Sequence, residues 1–250
     1  MSDDVTRRSF AAAVKDRLRR HPALYRTLRR PWQLVANKVI LPISRRRQVS
    51  RWRRNGRPVP PPHAFKQLTI EGYRRAFRLA SLVETGTYAG DTVEAQRKRF
   101  RKVVSIELSP DLYRAALARF ANRQNVMLLE GDSADLMESV MAQLDGPALF
   151  WLDGHYSAGI TAHGNLDTPV QRELEIILSS AGNHVILVDD ARCFGSGDYP
   201  TLDAVRTLVG RLRPGWTCVV EDDIIRIHPP SRPLHASRGE RPSTAIPPVA

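Results

Sequence analysis

The sequence predicts an α/β fold, a doubly wound, mostly parallel, seven-stranded Rossmann-like sheet that ends in an antiparallel hairpin. Three observations predict it. Five short apolar segments between residues 79 and 190 are almost uninterrupted by polar residues, as in strands that helices cover on both faces. Each of the five is followed by a segment that carries a helix start signal. Two further β-type segments, WTCVVE and DIIRIH, meet around residues 221–223 and predict the closing hairpin.

The elements are expected to alternate along the chain. The five parallel strands are predicted at residues 79–85, 102–108, 125–132, 148–154 and 184–190. The helices that follow them are predicted to begin at Asp91, Ser109, Ser133, Thr168 and Thr201. Asp91 with Glu94 and Thr168 with Gln171 have capping-box spacing, and Ser109 precedes a proline, as an N-cap often does.

Charge and composition divide the chain into three parts. Residues 1–60 hold 17 Lys and Arg against three Asp, a net charge of +14, whereas the whole chain carries +12, which leaves −2 for residues 61–250. We expect residues 1–60 to form a basic, partly helical extension and residues 61–228 to form the α/β domain. Residues 229–250, rich in Pro and Arg, are expected to be disordered.

Targeting signals are weak. The arginine pair at residues 7–8 precedes only five apolar or small residues before Lys15, and residues 32–43 are too short to cross a bilayer, which takes about 20 apolar residues. Two cysteines without metal-binding spacing fit a reducing compartment. We therefore expect a cytoplasmic protein whose basic extension is a candidate for contact with an anionic surface at the inner face of the membrane.

The first predicted strand leads into the turn VETGTYAG, which has the layout of a nucleotide-binding turn. Its glycines, Gly86 and Gly90, have Thr87 and Tyr88 between them and are spaced G-x-x-x-G. The dinucleotide fingerprint has a further glycine in the middle, where the backbone approaches a pyrophosphate. Because Tyr88 occupies that position, the turn is a poor fit for a dinucleotide.

Acidic and polar residues end the successive strands. Glu84 ends the first strand, where it would repel phosphate and attract an ammonium group. Glu107 ends the second, 21 residues after the first glycine of the turn, where a carboxylate can accept both hydroxyls of a ribose. Asp132 and Ser133 end the third, beside the place of an adenine, and Asp153 ends the fourth. This set describes S-adenosylmethionine (SAM) as the cofactor. An NAD-linked reductase and a non-catalytic SAM or nucleotide binder stay open at this point.

Over about residues 66–228 the sequence resembles the class I SAM-dependent methyltransferases. The resemblance rests on VETGTYAG, SIELSP, LEGDSADL and FWLDGH, which are strand ends in the order that the family has them. It implies a SAM-dependent methyltransferase.

The fourth and fifth strands end in WLDGHY and LVDDARCF, which bring Asp153, Asp189 and Asp190 to one edge of the sheet. Three adjacent carboxylates repel one another, and oxygen ligands suit Mg²⁺, so a magnesium site is predicted there. The pattern is similar to that of the metal-dependent macrocin-type sugar O-methyltransferases. The resemblance implies these three acids as metal ligands and gives the position of the general base to His155, where the family has an acid.

The acceptor is expected to be a hydroxyl. Methyltransferases that act on amino groups of nucleic acids generally carry an Asn/Asp-Pro-Pro-aromatic motif after the fourth strand, and this chain has DGHY. We therefore expect O-methylation of a saccharide, glycolipid or other small molecule. A nucleic-acid methyltransferase recruited by the basic extension is the alternative, and homo-oligomer formation stays open.

Overall fold

The computed structural model describes residues 41–154 and 168–230. The predictions for His155, for most of the basic extension and for nearly all of the C-terminal tail lie outside the described residues. The chain divides after Gly56 into two compact units. In the described ranges no helix is long and apolar enough to cross a bilayer.

The described residues form seven helices and seven strands. The helices are α1 (Leu41–Arg54), α2 (His63–Ala76), α3 (Asp91–Gln96), α4 (Pro110–Phe120), α5 (Ser133–Ala142), α6 (Val170–Ser179) and α7 (Leu202–Leu212). The strands are β1 (Ser81–Thr85), β2 (Lys102–Glu107), β3 (Val126–Glu130), β4 (Ala148–Leu152), β5 (Val185–Val188), β6 (Thr217–Glu221) and β7 (Ile224–His228). Helix α1 belongs to the first unit, and the sheet with the other helices belongs to the second.

The strands form one sheet in the order β3-β2-β1-β4-β5-β7-β6. The first five strands are parallel, and β7 is antiparallel to both β5 and β6. The predicted fold class is therefore confirmed. From β1 the chain runs outward on one side through β2 and β3 and on the other through β4 and β5. At such a switch point a crevice opens at the carboxyl ends of the strands.

The apolar strands form the core because helices cover them. Phe150 of β4 and Ile186 of β5 are inaccessible to solvent and pack in one cluster with Met137 of α5, Leu174 of α6 and Val209 of α7. Full burial of one such side chain contributes about 1.5–3 kcal/mol to the hydrophobic free energy of folding. This packing fixes the ends of β1, β4 and β5, where the polar residues of the crevice lie.

Helix α2 was not predicted. It begins directly after Pro62, at the start of the predicted α/β domain and ahead of the first predicted strand. Phe65, Ile70 and Tyr73 are buried on one of its faces, so the apolar spacing of a helix was present in the sequence.

Two predicted capping boxes were wrong. Helix α3 does begin at Asp91, but its N-cap is Gly90, which adopts a left-handed conformation with φ of 77°, and no side chain caps the helix. Helix α6 begins at Val170, after Pro169 as N-cap, although the Thr168 hydroxyl accepts a hydrogen bond from the backbone N–H of Val170 at 3.3 Å. The predicted arrangement at Ser109, an N-cap followed by a proline, is confirmed.

Candidate active site

The turn after β1 lies directly against the end of β4. Gly86 has a left-handed φ of 84°, and its N–H donates to the carbonyl of Ile106 at 2.9 Å. A Cβ at this position would lie 2.6 Å from the backbone carbonyl oxygen of Asp153. Only glycine fits here, since both the backbone angle and the contact exclude a side chain. The turn and Asp153 therefore share the centre of the crevice.

Glu84 is an acid buried in the sheet. It faces Ser105 across the β1–β2 pair, and the Ser105 hydroxyl donates to its carboxylate at 2.6 Å. The Ser105 and Thr87 hydroxyl oxygens are also 2.6 Å apart. Burial raises the pKa of Glu84 to about 8, opposed by the bond from Ser105 and reinforced by Asp153. Near neutral pH this carboxyl holds a proton that a cationic ligand would displace.

Glu107 is held by backbone N–H groups. Its two carboxylate oxygens accept from the N–H of Tyr88 at 2.7 Å and from the N–H of Ser109 at 2.9 Å. The side chain is buried, yet each oxygen has a second lone pair. The two N–H donors thus fix the carboxylate in an orientation in which both oxygens can still accept hydroxyl groups.

Asp132, Ser133 and Gly90, which were predicted to bind the cofactor, have structural roles as well. The Asp132 carboxylate accepts from the N–H of Ala134 at 2.9 Å and caps α5, of which Ser133 is the first residue. Gly90 allows α4 to approach, because a Cβ there would lie 2.7 Å from the Phe120 ring. These contacts do not test cofactor binding by these residues, which stays a prediction.

A lysine lies among the predicted metal ligands. Lys66 of α2 forms an ion pair with Asp189, and its Nζ is 3.6 Å from a carboxylate oxygen of Asp190. The second Asp189 oxygen accepts from the N–H of Asp190 at 2.9 Å. Burial and the neighbouring Asp153 raise the pKa of Asp189, which the contact with Lys66 opposes. Burial lowers the pKa of Lys66, but the acids around it outweigh burial and raise it, so that this side chain is an ammonium.

Asp190 is bound by a second cation. It adopts a left-handed φ of 55°, and Arg192 Nη1 donates to its carboxylate at 2.7 Å. The same guanidinium contacts Asp223, which also accepts from the backbone N–H of Arg192 at 2.8 Å. Basic side chains thus hold the acids that were predicted to bind magnesium.

The donors that the structure describes do not form a magnesium site. Mg²⁺ requires near-octahedral oxygen ligands that converge on one point. Within residues 41–154 and 168–230, no group of three His, Cys, Asp or Glu side chains is placed to hold a metal ion. With the Lys66 ammonium among them, the described donors do not fit Mg²⁺, and the predicted magnesium site gains no support from them.

Sequence reasoning missed two residues of this region. One is Lys66, which the unpredicted helix α2 carries into the crevice. The other is Glu173 of α6, whose fully buried carboxylate has no hydrogen bond of standard geometry to a described residue. Burial raises its pKa to about 7, with Ser133 and Thr85 close enough to oppose the rise. Glu173 lies between Val170 and Leu174 on the apolar face of the helix. An acid on an apolar helix face indicates a buried carboxyl, so the sequence did contain a signal for it.

No protein-family model matches the chain, and no curated protein matches it. Among solved structures, it is similar to an O-methyltransferase from Bacillus cereus bound to SAH, with TM-score 0.48, 14% identity, and coverage of 78% of this chain and 96% of that one. It is also similar to the O-methyltransferase TomG from Streptomyces achromogenes in complex with SAM, with TM-score 0.46, 16% identity, and coverage of 73% and 87%. The SAH-bound methyltransferase PaMTH1 from Podospora anserina gives TM-score 0.39, 20% identity, and coverage of 65% and 75%.

Proposed function

We propose that this chain is a SAM-dependent methyltransferase that transfers a methyl group to a hydroxyl of a saccharide, glycolipid or other small molecule. The observation that carries the proposal is the pair of buried acids beside the Gly86 turn. Glu84 is 3% exposed and Glu107 is 6% exposed, at the ends of neighbouring strands. Buried carboxyls without a basic partner are costly, and they cluster where a ligand compensates them.

Each acid suits a different part of the cofactor. Glu84 holds a displaceable proton and suits the cationic amino group, whereas the oriented oxygens of Glu107 suit the two ribose hydroxyls. A phosphate would be repelled by the Glu107 carboxylate and would not displace the Glu84 proton, which disfavours a dinucleotide. The proposed adenine position lies beside Asp132 and Ser133, at the start of α5.

The acceptor is proposed to enter on the β4–β5 side of the crevice. Bound SAM supplies an electrophilic methyl group on a sulfonium. The acceptor oxygen forms the new O–CH₃ bond, the S–CH₃ bond breaks with its electrons on sulfur, and the hydroxyl proton leaves to a base. His155, two residues after Asp153, is the residue that we propose as that base.

The first experiment measures SAM binding by calorimetry in the wild type, Glu107→Gln and Glu130→Gln. Glu130 pairs with Glu107 in register but is exposed, so it is the matched control. We expect the affinity to fall about 10- to 100-fold in Glu107→Gln only, because the amide replaces one acceptor oxygen with a donor that faces a backbone N–H. Equal affinities in all three proteins would refute the cofactor placement.

The second experiment follows methyl transfer from labelled SAM to a panel of hydroxylated saccharides, glycolipids and small molecules, with and without EDTA. Labelled product supports the proposed activity. SAM binding without transfer to any member favours a non-catalytic binder. Transfer that EDTA abolishes and Mg²⁺ restores would support the magnesium assistance predicted from the sequence.

We propose separately that residues 1–60 bind an anionic partner. Helix α1 carries exposed arginines at positions 46, 47, 51 and 54. Such a basic surface attracts lipid head groups and nucleic acid phosphates alike. Binding of the wild type and of a variant with these four arginines changed to alanine should be compared on vesicles with anionic lipid and on RNA at two salt concentrations. RNA binding with methyl transfer to the RNA would favour the nucleic-acid alternative.

A further inference from the structure

We infer that Lys66 is the resident cation of the acid cluster formed by Asp153, Asp189 and Asp190, in the place predicted for a divalent metal. The inference rests on the proposed function in one respect, namely that the cluster faces the acceptor. Its test does not depend on methyl transfer.

Geometry is the first support. Lys66 reaches the cluster from α2, which precedes the sheet in the chain, whereas the acids follow β4 and β5. Its ammonium contacts one Asp189 oxygen, while the other Asp189 oxygen accepts from a backbone N–H. Both oxygens of Asp189 therefore already accept a donor, and a metal ion bound through their remaining lone pairs would lie beside the ammonium, which repels it.

The second support is the order of burial. The Asp189 side chain is 1% exposed and the Lys66 side chain is 13% exposed. Lys66 is thus the more exposed member of the pair. A cation that approaches the buried Asp189 carboxylate also comes close to the Lys66 ammonium, which repels it.

Charge balance is the third support. Arg192 is shared between Asp190 and Asp223, so it neutralises only part of the cluster. Lys66 interacts favourably with all three acids of the cluster, with the largest effect from Asp189. Among the described contacts, one ammonium and one shared guanidinium thereby place positive charge where Mg²⁺ was predicted.

This arrangement defines what the acceptor side of the crevice offers. An ammonium is a hydrogen-bond donor that can stabilise negative charge developing on an acceptor oxygen. It does not coordinate two hydroxyls at once, as a metal ion does. We therefore expect the acceptor to need no vicinal diol, so that a single hydroxyl suffices.

Mn²⁺ binding to the free protein tests the inference. Mn²⁺ is a paramagnetic substitute for Mg²⁺ that electron paramagnetic resonance detects, and calorimetry gives its stoichiometry. We expect no saturable Mn²⁺ binding in the wild type. Lys66→Ala, which removes the charge and makes room, should gain one Mn²⁺ site per chain. The double variant Lys66→Ala/Asp189→Asn should lose that site again.

Two further variants keep the result decisive. Lys66→Gln removes the charge but retains a donor to Asp189, so it provides a folded alternative if Lys66→Ala does not fold, and it should also gain Mn²⁺ binding. Lys102→Ala is the control, because Lys102 lies at the amino end of β2 and donates to the carbonyl of Gln143. It should behave as the wild type does.

Either of two results would overturn the inference. One is a Mn²⁺ site in the wild type that Asp189→Asn abolishes, since the metal then displaces the lysine. The other is a failure of both Lys66 variants to gain a site. Neither outcome depends on SAM, so a failure of the proposed methyl transfer would be recognised separately, by calorimetry with SAM.

Discussion

Replacement of Glu84 by glutamine should stabilise the free protein and weaken cofactor binding. In the folded protein the pKa of Glu84 is raised by burial from 4.5 to about 8. As the pH rises above 4.5 the unfolded chain ionises at this position while the folded chain does not, so the wild type loses stability until the pH reaches about 8. Glutamine has a similar shape and hydrogen-bonding capacity and cannot ionise, so the variant avoids this loss.

The size of the effect follows from the two pKa values. Ionisation of Glu84 in the unfolded state costs the wild type about 1.5 kcal/mol near pH 5.5 and about 4 kcal/mol near pH 7.5. The free energy of unfolding of Glu84→Gln, relative to the wild type, should therefore increase by about 2.5 kcal/mol between these pH values. Any contribution that does not depend on pH cancels in this difference.

Urea unfolding of both proteins at a series of pH values measures the effect. Glu138→Gln is the control, because Glu138 is exposed on α5 and its replacement should leave the pH dependence unchanged. A constant difference between Glu84→Gln and the wild type across this range would refute the reasoning. It would show that Glu84 ionises normally in the folded protein.

The same proton should appear in the binding reaction. If the ammonium of SAM binds Glu84, the wild type near pH 7.5 should release roughly three-quarters of a proton on binding, because a group with a pKa near 8 is mostly protonated there. Calorimetry in buffers of different ionisation enthalpy measures this release. Glu84→Gln should release none and should bind SAM about tenfold more weakly or worse. Equal proton release by both proteins would show that the proton comes from another group. The claim that SAM displaces the Glu84 proton would then be wrong.

Three further predictions concern the same edge of the sheet. Gly86→Ala should lower the free energy of unfolding by about 1–3 kcal/mol more than Gly215→Ala, since both glycines have positive φ but only at Gly86 does a Cβ clash, with Asp153. Chemical denaturation of both variants measures the difference, and equal losses would contradict the close approach. Glu173→Gln should gain about 2 kcal/mol of stability over the wild type between pH 5 and pH 8, because burial raises the pKa of Glu173 to about 7; unchanged pH dependence in urea unfolding would count against it. Glu107→Ala should weaken SAM binding and also lower the free energy of unfolding by about 1–3 kcal/mol, because the N–H groups of Tyr88 and Ser109 lose their acceptor; unchanged SAM affinity in calorimetry would contradict the cofactor role.

The parallel sheet could be predicted from the sequence because its strands are buried on both faces. In β4 and β5 every residue is buried, so these segments are continuous apolar runs without alternation. Helix boundaries were harder. The start of α3 depends on the left-handed backbone of Gly90, and the close approach of Phe120 at that position depends on residues that are distant in sequence. Local capping rules do not contain that information.

The strand-end acids could also be located from the sequence, because each directly follows an apolar run. Their electrostatic partners could not. Ser105 reaches Glu84 through the register of β1 and β2, and Lys66 reaches Asp189 from a helix 123 residues away along the chain. Three clustered acids indicated that a cation was needed, and a metal ion was the answer that local spacing suggested. A cation supplied by the protein itself depends on tertiary packing.

The two halves of the crevice compensate buried acid in different ways, and this difference determines which ligands each half can accept. Beside β1 and β2, the described groups that act on Glu84 include no basic residue. Burial leaves Glu84 protonated. A cationic ligand can displace that proton at a small cost. Beside β4 and β5, Lys66 already compensates Asp189, so an incoming cation would have to compete with a tethered ammonium. A positively charged ligand is therefore expected at the β1–β2 half and an uncharged or anionic oxygen at the β4–β5 half, which is the polarity that transfer from a sulfonium to a hydroxyl requires.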